Sequence, residues 1–178
     1  MRETVAEVLI LAINALGAGI LLFIAGVLQK IMNDMDEPAF KRFLNALDRT
    51  AMSNHFAVTV ATLPIIAAVL YFLAYGFNHR WFTAGLIAWL IGSGITKITN
   101  MPVYQWVGDP ENNDPEELRQ QRRKLQLGNN LRAWLTFASV VLMACQFGVR
   151  EVFIVLVLSV IIAFPLIRLA RKYIPNGR

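Results

Sequence analysis

Long apolar runs alternate with short polar segments along the whole chain. Crossing a hydrocarbon core of ~30 Å takes about 20 residues of helix. Five runs reach that length: residues 5–28, 56–77, 81–99, 131–149 and 152–169. None carries an acid or base at its centre. The first run is too long for a signal peptide, starts with Glu3 and Glu7 in it, and is followed by no small-residue cleavage site, so it reads as a retained span. Residues 146–151 predict a tight turn, which makes the last two runs separate crossings. Two of the polar segments have helical periodicity. In residues 37–48, Phe40, Phe43, Leu44 and Leu47 recur at i, i+3, i+4 and i+7 and form one apolar face. Asp36 is placed to cap this helix and Pro38 fits its first turn. Lys41, Arg42, Asn45 and Asp48 occupy the other face. Such a helix either lies in the membrane interface or packs on the protein's own spans. Residues 115–127 predict a second helix, with Asp114 as cap, Pro115 first, and Glu117 at the capping-box position. The predicted fold is all-α: a polytopic membrane helix bundle in one domain over residues 1–178, with a four-helix core and a fifth C-terminal transmembrane helix.

Composition agrees. Hydrophobic residues make up 56% of the chain and charged residues 16%, against about 45–50% and about 25% in soluble domains. Mean hydropathy is +0.50. A soluble globular domain, a disordered chain and a collagen-like chain are excluded. The single cysteine, Cys145, excludes a disulfide framework or a Cys-based metal site within one chain and reads as an inert small hydrophobe.

The net charge of +5 changes meaning once spans are assigned. Lys30, Lys41, Arg42 and Arg49 follow the first span. Arg119, Arg122, Arg123, Lys124 and Arg132 precede or open the fourth, and Arg168, Arg171, Lys172 and Arg178 end the fifth. Only Arg2, Arg80 and Arg150 fall on the other side. Cytoplasmic loops carry the excess of Lys and Arg. The bias predicts five spans, the N-terminus outside and the C-terminus in the cytoplasm, in a bacterial inner membrane. The basic turn at 119–124 reads as a solvated, lipid-facing stripe rather than a nucleic-acid patch. Tyr71, Tyr75, Trp81 and Phe82 flank the turn between the second and third spans, as interface anchors do, with His79 a surface residue at its tip. Tyr173 anchors the inner end of the fifth.

Ala84, Ala88, Gly92 and Thr96 form a small-residue stripe on the third span, widened by Gly85 and Gly94. Ala15, Gly17, Ala18, Gly19 and Gly26 do the same on the first. These allow close helix approach, within the chain or between copies.

Polar residues inside spans are costly and point inward. Asn14 lies deep in the first span and suits either a helix–helix hydrogen bond or a ligand. The predicted cytoplasmic ends of the second, third and fourth spans bring together Asn54 and His55; Lys97, Thr99 and Asn100; and Asn129, Asn130, Arg132 and Trp134. Asn100-Met101-Pro102 predicts the end of the third helix, because the residue before proline is pushed off helical angles. Arg132 is placed at the start of the fourth helix, where a cation opposes the helix dipole, so a specific partner is expected. Asn amides and an Arg can bind a carboxylate, phenolate or enolate oxygen. Equally, these side chains can plug three helix ends together, with Lys97 and Arg132 reaching toward water.

The chain resembles the anthrone-oxygenase-like family of small integral membrane proteins, much of which is described only as a domain of unknown function. The resemblance covers about residues 5–148. It rests on the Gly17-Ala18-Gly19 span leading into Met35-Asp36-Glu37-Pro38-Ala39-Phe40, on Thr96-Lys97-Ile98-Thr99-Asn100-Met101-Pro102 (similar to the family's Thr-x3-Asn-x-Pro), and on Asn129-Asn130-Leu131-Arg132. Asn129 stands three residues before the Arg, where the family has Asn or His. The chain departs at Tyr104, where the family often has a second Asn, and in its fifth span. The resemblance implies a four-helix membrane bundle and, for some members, oxygenation of an anthrone to a quinone without metal or flavin. An anthrone reacts with oxygen once its enolate forms, which takes a base and an oxyanion stabiliser. The resemblance then casts His55 and Arg132 as catalytic and Asn100, Asn129, Asn130, Lys97, Trp134 and Asn14 as substrate-binding. No cofactor is expected, and no His/carboxylate spacing indicates a metal, since His55 and His79 are predicted on opposite sides of the membrane. The expected partners are membrane lipids, a lipophilic small molecule, and a second copy or membrane partner; nucleic acid is not among them. The alternative to an enzyme or binder is a non-catalytic membrane scaffold or assembly subunit acting through helix packing. A transporter is disfavoured by the lack of an internal repeat or paired broken helices.

Overall fold

The computed structural model describes residues 2–173. Arg178 lies outside the described residues, as do the side chains of Arg171 and Tyr173. The described chain is all-helical and contains no strand. Six helices run in order: α1 (Glu3–Asp34), α2 (Glu37–Ser53), α3 (His55–Tyr75), α4 (Arg80–Gly108), α5 (Pro115–Cys145) and α6 (Val149–Tyr173). Four stretches are long and apolar enough to cross a membrane: Glu3–Asp34, His55–Tyr75, Arg80–Gly108 and Val149–Ala170.

Three helices exceed their predicted lengths. At 1.5 Å per residue, α1, α4 and α5 are each roughly 44–48 Å long, well beyond the hydrocarbon core. Residues 115–127 do not form a separate helix. They continue without a break into the stretch predicted as the fourth span. Arg132 therefore sits mid-helix, not at a helix start, and the dipole argument for its partner falls away. The third helix likewise does not end at Asn100-Met101-Pro102. A π-helical turn at Thr96–Asn100 precedes the proline, and the Met101 N–H reaches back five residues to the Thr96 carbonyl. The widened turn absorbs the ring and the missing N–H of Pro102. A matching π turn interrupts α1 at Ile24–Leu28, where the Gln29 N–H bonds the Ile24 carbonyl.

The overshooting ends of α1, α4 and α5 are closed by α2. Asp36 caps α2, its Oδ1 accepting from the Ala39 N–H at 2.7 Å. Asp114 caps α5, but its bond comes from the Glu116 N–H (3.2 Å). Phe40 and Leu44 are fully buried with Met32, Val103, Val107, Leu118 and Leu125. The apolar face of α2 is thus spent on the protein's own helices. Two of the predicted lipid-facing cations are also structural. Arg122 Nη1 donates to the Met35 carbonyl at 2.9 Å, with its guanidinium over the Phe40 ring. Arg119 Nε pairs with Glu37 at 2.7 Å, which holds the Glu37 carboxyl below its ordinary range. Arg123 and Lys124 are exposed. Lys41 Nζ gathers the Asp109 and Asn112 carbonyls, both at 2.7 Å.

Inside the bundle, α5 packs most closely on α4 and α1, and α1 also meets α3. The close approach of α4 to α5 runs through Gly85 and Gly92, the former accepting from Ser139 Oγ at 2.6 Å. A methyl on Gly85 would strike the Ser139 carbonyl and Met143, and one on Gly17 the Trp89 ring, whereas Gly19, Gly26 and Gly94 face open space. Helix α6 meets the end of α5 and is exposed from 157 to 170.

At the far end from α2, a second polar group closes the molecule. His79 Nδ1 contacts Glu7 Oε1 and lies 3.5 Å from Glu3 Oε1. Tyr71 donates its hydroxyl to Glu7 at 2.9 Å. His79 stays about one-third exposed in the turn but is tied to α1, and its bond to the Glu7 carboxylate raises the imidazole above its ordinary value.

Gly85→Ala is expected to lower stability by about 1–3 kcal/mol, because the added methyl meets backbone. Gly19→Ala, in open space, is expected to be neutral or slightly stabilising. Thermal unfolding of both variants in one detergent checks the contrast.

Candidate functional site

The π turns of α1 and α4 bring polar side chains to one depth. Asn100 is fully buried and donates through Nδ2 to Asn129 Oδ1 at 2.8 Å. Asn129, also buried, donates through Nδ2 to Gln29 Oε1 at 2.9 Å. Gln29 passes the chain on to Asn33 at 3.0 Å. The Thr99 hydroxyl sits 2.6 Å from the Ile95 carbonyl and 2.9 Å from Asn100 Oδ1. Gly128 makes this possible: a side chain there would collide with the Asn100 amide. One amide from each of α1, α4 and α5 thereby satisfies the next, which is what buried polar groups require.

Arg132 hangs from the edge of this knot. Its Nη1 donates to Thr96 Oγ1 at 3.1 Å and its Nη2 to Asn129 Oδ1 at 3.4 Å. Its Nε is buried and has no partner. Arg132 forms no ion pair among the described residues. Beside it lies a partly open cavity of about 430 Å³. The walls are apolar and come from α1 (Ile20, Ile24, Leu28), from α3 (Phe56, Val60, Ile65) and from Trp89 of α4. The polar end is Asp48, Ser93, Thr96, Tyr104, Asn129, Arg132 and Thr136. Both π turns border the cavity, through Ile24 and Leu28 on one side and Thr96 on the other.

Of the residues expected at a site, Asn100, Asn129 and Arg132 converge. The others do not. His55 is the exposed first residue of α3 and does not line the cavity, although its neighbour Phe56 does. Lys97, Asn130 and Trp134 are exposed on outward faces of α4 and α5. Asn14 is fully buried but lies one helical turn beyond Gly17, the cavity residue nearest to it on α1, donating to Met143 Sδ at 3.5 Å with its Oδ1 unpartnered.

Besides Ser93 and Thr136, four residues complete the site without having been singled out for it. Gln29 sits just past the first apolar run, where a polar residue is expected anyway. Tyr104 marks the departure from the family pattern and turns out to line the cavity. Asp48 belongs to the polar face of α2, and Thr96 to the small-residue stripe. Gln29, Tyr104 and Thr96 share one signal, a polar side chain near the end of a span, and Asp48 lacks even that.

The chain matches no protein-family model, no curated protein and no solved structure.

Asn129→Ala is expected to leave Asn100 Nδ2 and Gln29 Oε1 buried without partners. The loss is about 1–3 kcal/mol for each group stranded. A lowered unfolding temperature, with helical content unchanged by circular dichroism, is the expected result.

Proposed function

We propose that this chain is a five-span integral membrane protein whose cavity binds a lipophilic molecule through an anionic or enolisable oxygen received by Arg132. One observation carries the proposal: a part-buried guanidinium, its Nε buried and without a partner, borders an apolar cavity with no carboxylate paired to it. A buried charge without a counter-charge is destabilising. A ligand oxyanion supplies both the charge and the missing acceptor. The volume falls within the ~300–1,000 Å³ of small-molecule sites. Trp89 and the aliphatic walls of α1 and α3 suit a flat aromatic body.

The resemblance to anthrone oxygenases fits this cavity once the base is reassigned. Asp48 takes the place first given to His55, since it alone among the cavity's acidic and basic side chains is a proton acceptor. Asp48 removes a proton from the ring methylene that lies across the central ring from the carbonyl and is conjugated with it, and Arg132 holds the enolate oxygen. The enolate carbon takes up dioxygen, and Asp48 returns its proton to the peroxide oxygen so formed. The resulting hydroperoxide loses water to leave the quinone carbonyl.

For the topology, we infer that the C-terminal half of α5 is the crossing that joins the four apolar helices. The closed end formed by α2 and the overshooting ends of α1, α4 and α5 carries most of the cations, which puts it in the cytoplasm. The N-terminus is then outside and α6 returns the C-terminus to the cytoplasm of a bacterial inner membrane.

The exposed length of α6 favours a second reading, in which the chain is a non-catalytic subunit that docks a membrane partner or another copy through that helix. The Gly85 and Gly92 contacts are not available for such docking, because α5 fills them.

Mass spectrometry of organic extracts from protein in native lipid particles separates the two readings. Wild-type protein is expected to retain a stoichiometric aromatic or quinone-like compound, and Arg132→Gln to lose it while keeping its unfolding temperature. Phospholipid alone in both samples would favour the docking subunit. With a verified substrate, unchanged turnover by Arg132→Ala would remove Arg132 from the mechanism.

A further inference from the structure

Far from the cavity, the opposite end of the bundle gathers side chains that no step above uses. Glu3 and Glu7 lie one turn apart on the same face of α1. His79, in the α3–α4 turn, points Nδ1 at both. One ligand atom from each of the three lies within 4.8 Å of the other two. Glu7 is only 2% exposed, which is rare for a carboxylate without compensating charge. Two carboxylates face one imidazole, so even a cationic His79 leaves the group one negative charge in excess. The nearby cations do not offset it. Neither Arg2 nor Arg80 forms an ion pair with these carboxylates among the described residues, and the Arg80 guanidinium lies over the Trp81 ring.

We propose that Glu3, Glu7 and His79 form a binding site for one divalent transition-metal ion. Zinc takes imidazole nitrogen and carboxylate oxygen at about 2.0–2.2 Å, which sets two ligands of one ion roughly 3–3.5 Å apart. His79 Nδ1 and Glu3 Oε1 already stand at 3.5 Å. The closer Glu7–His79 pair opens by about an ångström when a cation sits between them. A one-nitrogen, two-carboxylate donor set suits zinc, manganese or iron(II) rather than a soft, thiolate-seeking ion. Tyr71 acts from outside the ligand set. Its hydroxyl donates to Glu7 at 2.9 Å and lies 3.2 Å from Glu3, so it orients both carboxylates. Three protein ligands leave a position for water. The ion would tie α1 to the α3–α4 turn, and the site stands independently of the cavity and its ligand.

The test uses untagged full-length protein in lipid nanodiscs, stripped with chelator and titrated calorimetrically with zinc chloride, with cobalt(II) absorption as a second probe. One ion per chain is expected. Glu3→Gln and His79→Ala are each expected to abolish it, and Tyr71→Phe to weaken it about 10–100-fold. Glu3 is about one-third exposed and a glutamine amide there can still hydrogen-bond the Tyr71 hydroxyl, so an unchanged metal-free unfolding temperature shows that this variant is folded. Arg132→Gln, at the other end, is expected to bind zinc as wild type does. No stoichiometric binding, or equal binding by folded Glu3→Gln, would overturn the proposal.

Discussion

The Asn100–Asn129–Gln29 chain of hydrogen bonds is the constraint around which the rest is arranged. Each of three long helices contributes one amide that is almost wholly buried. Away from water an amide without a partner costs more than a made bond returns, so the three must meet in one register. That requirement fixes how α1, α4 and α5 slide along one another. It accounts for Gly128, which leaves room for the Asn100 amide, and for the tight Gly85 and Gly92 contacts further along the same α4–α5 interface. It also presents Asn129 Oδ1 to Arg132, and so holds the guanidinium at the edge of the cavity.

The same three helices outrun the thickness of a bilayer, and the extra length has a use. Their ends form a small separate core with α2, built on Phe40, Leu44, Val107 and Leu125. Asp48 reaches the cavity because α2 is pinned there by Lys41, by the Asp36 cap, and by Arg119 and Arg122 reaching across from α5. A helix floating in the lipid interface would hold Asp48 less firmly at the cavity wall. The cavity therefore has one wall from the apolar part of the bundle and one from its polar cap, a division suited to an amphiphilic guest.

Much of the fold was legible in the pattern of apolar runs. The helical class, the capped α2 and the helices able to cross a membrane follow from hydropathy and capping residues. The missed boundaries have one origin. Local rules end a helix at Asn100-Met101-Pro102 and separate 115–127 from 131 onward, but packing across helices overrides both. The run from 131 carries Arg132, Thr136 and Ser139 toward its neighbours, and the helix it forms with 115–127 is not among the four apolar enough to cross a membrane. At the site, Asn100, Asn129 and Arg132 were legible because costly residues within spans point inward. His55 was misjudged because depth along a helix says nothing about which way the side chain faces. Glu7 with His79 was invisible, since the fold sets side by side groups that stand 72 positions apart in the chain.

The two π turns set a limit on the chain's length. Each adds a residue beyond the regular α repeat; the first ends just before Gln29, and the second ends on Asn100 itself. A residue of α-helix turns the chain by about 100°. Loss of a single residue from 24–28 would restore a regular helix while swinging Gln29 away from Asn129. Loss of one from 96–100 would turn either Asn100 or the Gly85–Gly92 face out of place. At these positions the number of residues is held more strictly than their kind, and lineages of this protein should tolerate exchange of Ile24 or Ile98 far better than the gain or loss of either.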